Sequence, residues 1–451
     1  MTRERLTAEL TTLLGSRFAR DTRALMIGTA AGQILNVAAS PILARLYLPE
    51  HFGVLGLLVA CYSVLTPLAC WRYDQAIMLP ARDAGAARLF QLSLVTNVAM
   101  VGLSALAVFL VGRPIAQLIG QPVLADWLWT LPMLLLLAGL YQTLRVWLGR
   151  ARRFGSIAAG RISRASVGTG AQLGLGWLLG PGPLGLVGGY WLGPAAEALV
   201  LAIATWRFSG SRLRTDLRPR WLKALAVRHR KFPLFAVPAN LSNYAAVEGP
   251  TVLLAVLYSP TEVGLYWLSY RLLALPTALA GEAVSTVFFQ RIAAMRGRGA
   301  CGAALTTQVF VALIGVALIP LAAVFLFAPS LFGFVFGSAW TDAAYYAQAL
   351  VPAELMLFAA FPLTQAFFVY EKQEIGLLWN LAFVAVTIAA FGLGAATGGP
   401  LASVRWYSFG SAVMYALVVA LAFRWSGGVV SEIPNYLTQG LRAQPTLASH
   451  V

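Results

Sequence analysis

Ionisable side chains stranded inside long apolar segments are costly to bury, so they are the first places to look for chemistry. Glu248 and Arg271 each lie nine residues inside the outer ends of two successive apolar segments, 232–257 and 262–289. At 1.5 Å rise per residue both would sit roughly 14 Å below one face of a bilayer. Such a pair is either a structural ion pair or part of a cavity that binds substrate or protons. Glu354 lies at the same depth in the segment 345–370, whereas Glu197 and Glu282 fall at other depths. Carboxylates in low dielectric exchange protons closer to neutrality, which coupling to H+ or Na+ would require.

The other candidates are mostly arginine. Arg45 follows the first apolar segment, and Arg72-Tyr73-Asp74 closes the second. Arg145 stands near the end of the fourth, and Arg161 and Arg164 are spaced i, i+3 at the start of the fifth. Arginines so near a segment end usually lay their stems along lipid and reach for the headgroups, and that is the expectation for Arg161 and Arg164; Arg145 is as readily a cavity residue. Taken together, guanidinium forks suit a phosphate bidentately, where a cationic cargo would call for carboxylates. The cargo is therefore expected to be an anion. Cys61, Cys70 and Cys301 are scattered and the histidines number three, so neither a disulfide framework nor a metal-ligand spacing is legible.

These groups must be positioned by membrane helices. Apolar residues make up 59% of the 451 and charged residues 11%, with mean hydropathy +0.74; a water-soluble domain would carry about a quarter charged residues. Uncharged runs such as 89–111 and 305–331 exceed the roughly 20 residues that cross a hydrocarbon core as a helix. They are apolar on every face, unlike the alternating strands of a barrel. The expected fold is an all-α polytopic membrane protein with about twelve spans, near 24–44, 52–70, 89–112, 127–148, 156–180, 184–206, 232–257, 262–289, 304–329, 345–370, 375–397 and 401–424.

Lys and Arg concentrate at the N-terminus and in alternate loops, with nine in segment 207–231. By the positive-inside rule both termini and the basic loops are expected on the cytoplasmic side. Residues 1–23, with five arginines and leucines at near-helical spacing, read as an uncleaved amphipathic start. The +16 charge is thus no nucleic-acid signal. The basic segment is either a topology determinant on anionic headgroups or a surface that gathers an anionic lipid-linked substrate.

The chain also repeats itself. Leu46-Tyr47-Leu48-Pro49-Glu50-His51-Phe52-Gly53 returns as Leu257-Tyr258-Ser259-Pro260-Thr261-Glu262-Val263-Gly264, each time between two apolar segments. Duplicated halves of a transporter leave such a trace. Two pseudo-symmetric six-helix bundles around a central cavity are expected, over 1–206 and 232–425, joined by the basic linker 207–231 and followed by a polar tail, 426–451. Prolines within or at the ends of segments, among them Pro41, Pro132, Pro194, Pro250, Pro276 and Pro352, permit kinks, and Gly28-x-x-x-Gly32 permits close helix approach.

The run from Ser40 to Gly53, followed by Arg72-Tyr73-Asp74-Gln75-Ala76-Ile77-Met78-Leu79-Pro80, closely resembles the start of the oligosaccharide (O-antigen type) flippases, in the polysaccharide-transporter branch of the MOP superfamily. Phe232-Pro233, Pro238, Pro250, the second copy of the repeated motif, and Arg271 with Pro276 extend it. The resemblance implies a carrier that moves an undecaprenyl-diphosphate-linked oligosaccharide from the cytoplasmic to the outer leaflet by alternating access, for O-antigen, capsule or exopolysaccharide assembly. It further implies a cavity with a basic lining, which Arg45, Arg72, Arg145 and Arg271 match. Glu248, Glu282 and Asp74 are then the candidates for ion coupling or ion pairing; the family pattern often has Glu where this chain has Asp74. No cofactor and no enzymatic activity are expected, and the partners would be the lipid-linked oligosaccharide, membrane lipid and other polysaccharide-assembly proteins.

Three rivals follow from the same segments. A multidrug or cation antiporter of the same superfamily would want carboxylates in its N-terminal half, and none falls inside the first five expected spans. A lipid II flippase typically adds two C-terminal helices. A glycan polymerase or ligase typically carries a large outward loop, and the loops here are short.

Overall fold

A computed structural model describes residues 17–118, 120, 122–213 and 219–436, and every regular element among them is helical. In chain order the helices are α1 (Arg17–Leu46), α2 (Pro49–Leu65), the single turn α3 (Tyr73–Ala76), α4 (Asp83–Leu118), α5 (Pro122–Leu128), α6 (Thr130–Arg150), α7 (Phe154–Leu179), α8 (Pro183–Leu213), α9 (Pro219–Arg228), α10 (Val237–Leu257), α11 (Pro260–Leu273), α12 (Glu282–Gly297), α13 (Ala303–Phe336), α14 (Ala343–Ala360), α15 (Ala366–Val369), α16 (Gln373–Thr397) and α17 (Pro400–Trp425). The amphipathic start up to residue 16, Arg214 and Arg218 of the basic linker, and the tail beyond 436 lie outside the described residues.

Local chemistry explains many of these boundaries. Helices α2, α5, α8, α9, α11 and α17 all open on proline, whose fixed φ and missing N–H suit a first helical turn. Helices α7 and α13 stop at Gly180 (φ 83°) and Gly337 (φ 99°), a backbone conformation that glycine adopts without a Cβ clash. Pro233 lies within one π-helical turn, Phe232–Ala236, and Pro276 immediately precedes another, Thr277–Gly281, where the ladder of hydrogen bonds is locally rewound.

A helix stands at each of the twelve segments expected from the sequence. Several run well beyond them, α4 with 36 residues and α13 with 34 being the longest, because backbone hydrogen bonding continues past the end of the apolar stretch. Among the described residues eight helices are long and apolar enough to cross a membrane, and a ninth qualifies if the segments flanking Pro276 count as one. Helices α1, α7 and α10 are not in that set; α7 carries Arg161 and Arg164, and α10 carries Asn240, Asn243 and Glu248. Phe109, Leu110, Trp177, Leu178, Phe325, Leu326 and Phe327 are all more than half exposed, a band of apolar surface that lipid would cover and water would not.

The chain divides into two compact units, one over Arg17–Trp267 and one from Leu268 onward, so the boundary falls inside α11. In the first unit α1 packs on α7, and α7 on α8. Small residues permit this closeness: a Cβ on Gly28 would come 2.6 Å from that of Ala158, and one on Gly193 would come 2.8 Å from the carbonyl oxygen of Arg164. A core of Tyr73, Ile77, Leu89, Phe90, Trp147 and Leu201 ties α3, α4, α6 and α8 together, and Leu222, Leu225 and Ala226 of α9 rest on it. The linker helix is thereby docked on the unit, with the Arg88 guanidinium 5.0 Å from the Trp221 ring centre. Helix α10 also belongs here, packed against α2.

Beside that contact, at the starts of α2 and α11, the repeated motif meets itself. A Cβ on Gly53 would overlap the carbonyl of Pro260, and a Cβ on Gly264 would overlap that of Pro49. Trp267 then covers Gly56, and Phe52 lies 6.1 Å from the Trp267 ring.

In the second unit α14 packs between α13 and α17, and α16 packs on α17. Ser269 donates a hydrogen bond to the carbonyl oxygen of Ala343 at 2.7 Å. Its core includes Phe288, Ile292, Leu363 and Ala422, with Trp340 and Phe391 fully buried.

Candidate functional site

The turn after α2 is the most constrained piece of backbone in the first unit. Trp71 and Arg72 both hold left-handed conformations, φ 48° and 60°, each costing about 1–2 kcal/mol for a residue with a Cβ. The turn is held from both sides: Cys70 Sγ lies 3.5 Å from the carbonyl oxygen of Gly139, and Tyr73 donates to the carbonyl oxygen of Ala226 at 3.4 Å. Its effect is to turn the half-buried Arg72 inward, where its guanidinium donates to Asn240 Oδ1 on α10.

Asp74 follows, 1% exposed. Burial pushes its carboxyl above the usual carboxylate range, opposed by the nearby Arg72 and Arg145 guanidinium charges and by the backbone N–H of Gln75. Neither side of this interaction is saturated: Arg72 Nε and Asp74 Oδ1 are both buried without a hydrogen-bond partner. Arg145 is exposed on α6, its guanidinium 5.8 Å from the Tyr141 ring centre. It also bears electrostatically on a second buried acid, Glu197 of α8.

Glu197 is paired with Arg164 of α7 at 3.2 Å. Its carboxylate is 1% exposed while the arginine side chain remains 36% exposed, so the acid is the more enclosed partner and the arginine keeps part of its side chain accessible. Tyr62 of α2 and Tyr190 of α8 lie within electrostatic reach of that guanidinium. Arg161, one turn earlier, donates to Thr29 Oγ1 on α1. The expectation that Arg161 and Arg164 reach outward for headgroups is therefore corrected. Both have hydrogen-bonding partners on neighbouring helices, and a buried carboxylate holds Arg164 more strongly than water at the interface would.

Four arginines, Arg72, Arg145, Arg161 and Arg164, thus surround two buried acids within one unit. The sequence singled out Arg72, Arg145 and Asp74, and they are brought together. It named Arg164 and Glu197 separately without pairing them, although the i, i+3 arginine pair and a lone glutamate in an apolar span were the signal that pointed to them.

The remaining candidates lie elsewhere. Arg45 is exposed in the last turn of α1. Glu248 is half-buried on α10 and shares a hydrogen bond with Ser63 of α2. Arg271 is half-buried in the second unit, and Glu282 opens α12 with its side chain outside the described residues. That unit holds another acid, Glu354, 4% exposed and with Oε2 lacking a hydrogen-bond partner. It lies near Tyr415, whose ring sits 5.5 Å from that of Trp379.

An array of this composition suits a polyanion. Guanidinium groups on two helices and one turn offer planar donors at several angles, and the two acids fix them without neutralising the set.

A family model described as a polysaccharide biosynthesis protein matches residues 42–345. None of the curated proteins matches the chain by sequence. Among solved structures, the chain is similar to the lipid II flippase MurJ in an inward closed conformation, at 12% identity and TM-score 0.71, covering 93% of this chain and 90% of that one. It is also similar to an inward-facing multidrug resistance MATE family transporter of the MOP superfamily, at 16% identity and TM-score 0.65, covering 90% and 96%. The eukaryotic MATE transporter AtDTX14 is a third, at 18% identity and TM-score 0.55, covering 93% and 100%. At these identities the likeness is one of fold.

Proposed function

The chain belongs to the family of polysaccharide biosynthesis proteins, and on that premise we propose that it is a flippase for a diphosphate-linked lipid oligosaccharide. It carries the glycan from the cytoplasmic to the outer leaflet of a bacterial inner membrane, by alternating access, during assembly of a surface polysaccharide. Lipid-linked oligosaccharide and membrane lipid are its partners, with other assembly proteins before and after it.

The observation that carries this reading is the set of Arg72, Arg145, Arg161 and Arg164 around Asp74 and Glu197. A diphosphate diester brings two fixed negative charges, which a guanidinium fork can hold bidentately. Charge that would meet a prohibitive barrier in hydrocarbon is instead passed between arginines, while the polyprenyl tail stays in lipid and the sugars stay in water. Arg45 is assigned to the same path, Arg271 of the second unit to a further contact with the anion, and Glu248, Glu282 and Asp74 to resetting the arginines by taking up H+ or exchanging Na+. A drug-cation antiporter would want the opposite balance of charge.

The test is reconstitution into vesicles with a fluorescent lipid-diphosphate oligosaccharide in the inner leaflet. Protein-dependent appearance of the label outside, absent for an organic cation, supports flipping; cation efflux without glycan movement refutes it.

A further inference from the structure

The Arg164–Glu197 pair is built asymmetrically, and this asymmetry has consequences for substrate binding. The carboxylate is sealed, 1% exposed, whereas its partner keeps 36% of its side chain exposed. Glu197 Oε2 takes the 3.2 Å contact, and Oε1 is buried with no hydrogen-bond partner. Gly160 on α7 closes against the Glu197 side chain, with 3.4 Å to its Cγ from a Cβ placed there. An ionised carboxylate so enclosed is sustained by its one arginine and the positive charges behind it.

We propose that Glu197 is a positioning residue that presents Arg164 to the substrate diphosphate and takes up a proton when the diphosphate engages that arginine. The inference rests on the flippase reading and deepens it. The phosphate approaches the open edge of the guanidinium and takes its charge. Glu197 then faces a neutralised partner with one oxygen already bare, and an unpaired buried carboxylate is far costlier than a neutral acid. A proton from hydronium or a buffer acid transfers to the carboxylate: the acid's O–H bond forms as the donor's bond to hydrogen breaks, leaving water or the buffer base. On release the proton leaves and the pair re-forms. Each turnover would therefore bind one proton with its anion, which offsets part of the substrate charge.

The charged and titratable groups facing Glu197 are Arg164 and Arg161 from α7 and Arg145 from α6, with Tyr62 of α2 and Tyr190 of α8 beyond Arg164. The ionisable residues of α4, Asp83, Arg88 and Arg113, stand near its two ends, away from the middle of the helix. Three arginines favour the charged form of the acid in the empty protein, and neutralising the nearest one withdraws most directly the support it has.

The test is calorimetric titration of the full-length protein in detergent with a short-chain polyprenyl diphosphate bearing one sugar. Both phosphates of that diester stay ionised through neutrality, so any proton taken up belongs to the protein. Binding enthalpies in buffers of different ionisation enthalpy give the proton count. The wild type is expected to take up about one proton per ligand, and its affinity to fall about tenfold per pH unit across the range in which that proton is taken up. Glu197→Gln should bind with no uptake and a flat pH profile, and Glu197→Asp should keep the uptake. Binding by the wild type without uptake, or uptake that persists in Glu197→Gln, overturns this inference alone. If the wild type fails to bind the ligand at all, the flippase reading falls and this one falls with it.

Discussion

Gly53 and Pro260 meet backbone to backbone, and Gly264 and Pro49 meet in the same way. Each glycine of the repeated motif thus receives the carbonyl of the proline in the other copy, so two copies far apart in sequence form one reciprocal contact between the starts of α2 and α11. Gly53→Ala or Gly264→Ala would drive a methyl group into a carbonyl oxygen, and overpacking of this kind costs about 1–3 kcal/mol or more. Both variants should melt at lower temperature in detergent by similar amounts. Melting like the wild type would mean the contact is looser than described.

Arg72 combines a left-handed backbone with a functional head. Arg72→Gly should relieve the backbone strain and Arg72→Ala should keep it, so the glycine variant should be the more stable by about 1 kcal/mol. Both should lose glycan export in a complementation assay, because both lack the guanidinium. Export by Arg72→Gly at the wild-type level would remove Arg72 from the site.

Asp74 supplies a pH dependence whose sign is fixed by burial. Its carboxyl titrates above its ordinary value of 3.8 in the folded chain, so the folded state holds the proton more tightly than the unfolded one. The stability this contributes is complete below the ordinary value and is lost as the pH rises through the folded one. Asp74→Asn should therefore be more stable than the wild type at neutral pH, with the difference closing as the pH approaches 4. A thermal melt series across pH measures this; a gap that widens toward acid would reverse the assignment.

Helix α9 is held to its unit by Leu222, Leu225 and Ala226. Leu225→Asp would place a charge against that apolar core and cost about 1–3 kcal/mol of docking. Tryptic cleavage at Arg220 and Lys223 should become faster while the rest of the chain stays resistant. An unchanged digestion pattern would show that α9 does not rely on this face.

Much of this was legible in the sequence, for identifiable reasons. Apolar length and charge breaks located a helix at every expected segment, because a backbone in lipid must satisfy its own hydrogen bonds. The motif around Pro49 and Pro260 announced itself as a repeat, although not that its two copies touch. Arg72, Asp74 and Arg145 were found because an ionisable group beside an apolar span is conspicuous. The Arg164–Glu197 pair was not found, since hydropathy reports depth along a helix and says nothing of azimuth. The same gap applies to Glu248: its depth was readable, but its hydrogen bond to Ser63 depends on the direction in which α10 turns that face. The extra turns of α4 and α13 escaped because helical hydrogen bonding is indifferent to where hydrocarbon would end.

The central claim is that arginines of the first unit handle a diphosphate. It is tested most directly by transbilayer movement of a fluorescent lipid-diphosphate oligosaccharide in vesicles that hold the wild type or Arg72→Ala/Arg164→Ala, with insertion and thermal stability measured on the same preparations. The wild type should move the label and the inserted, folded double variant should slow it by at least about 100-fold, as expected when two charge-assisted contacts of about 1.5–3 kcal/mol each are lost. Equal rates from the two proteins would contradict the account.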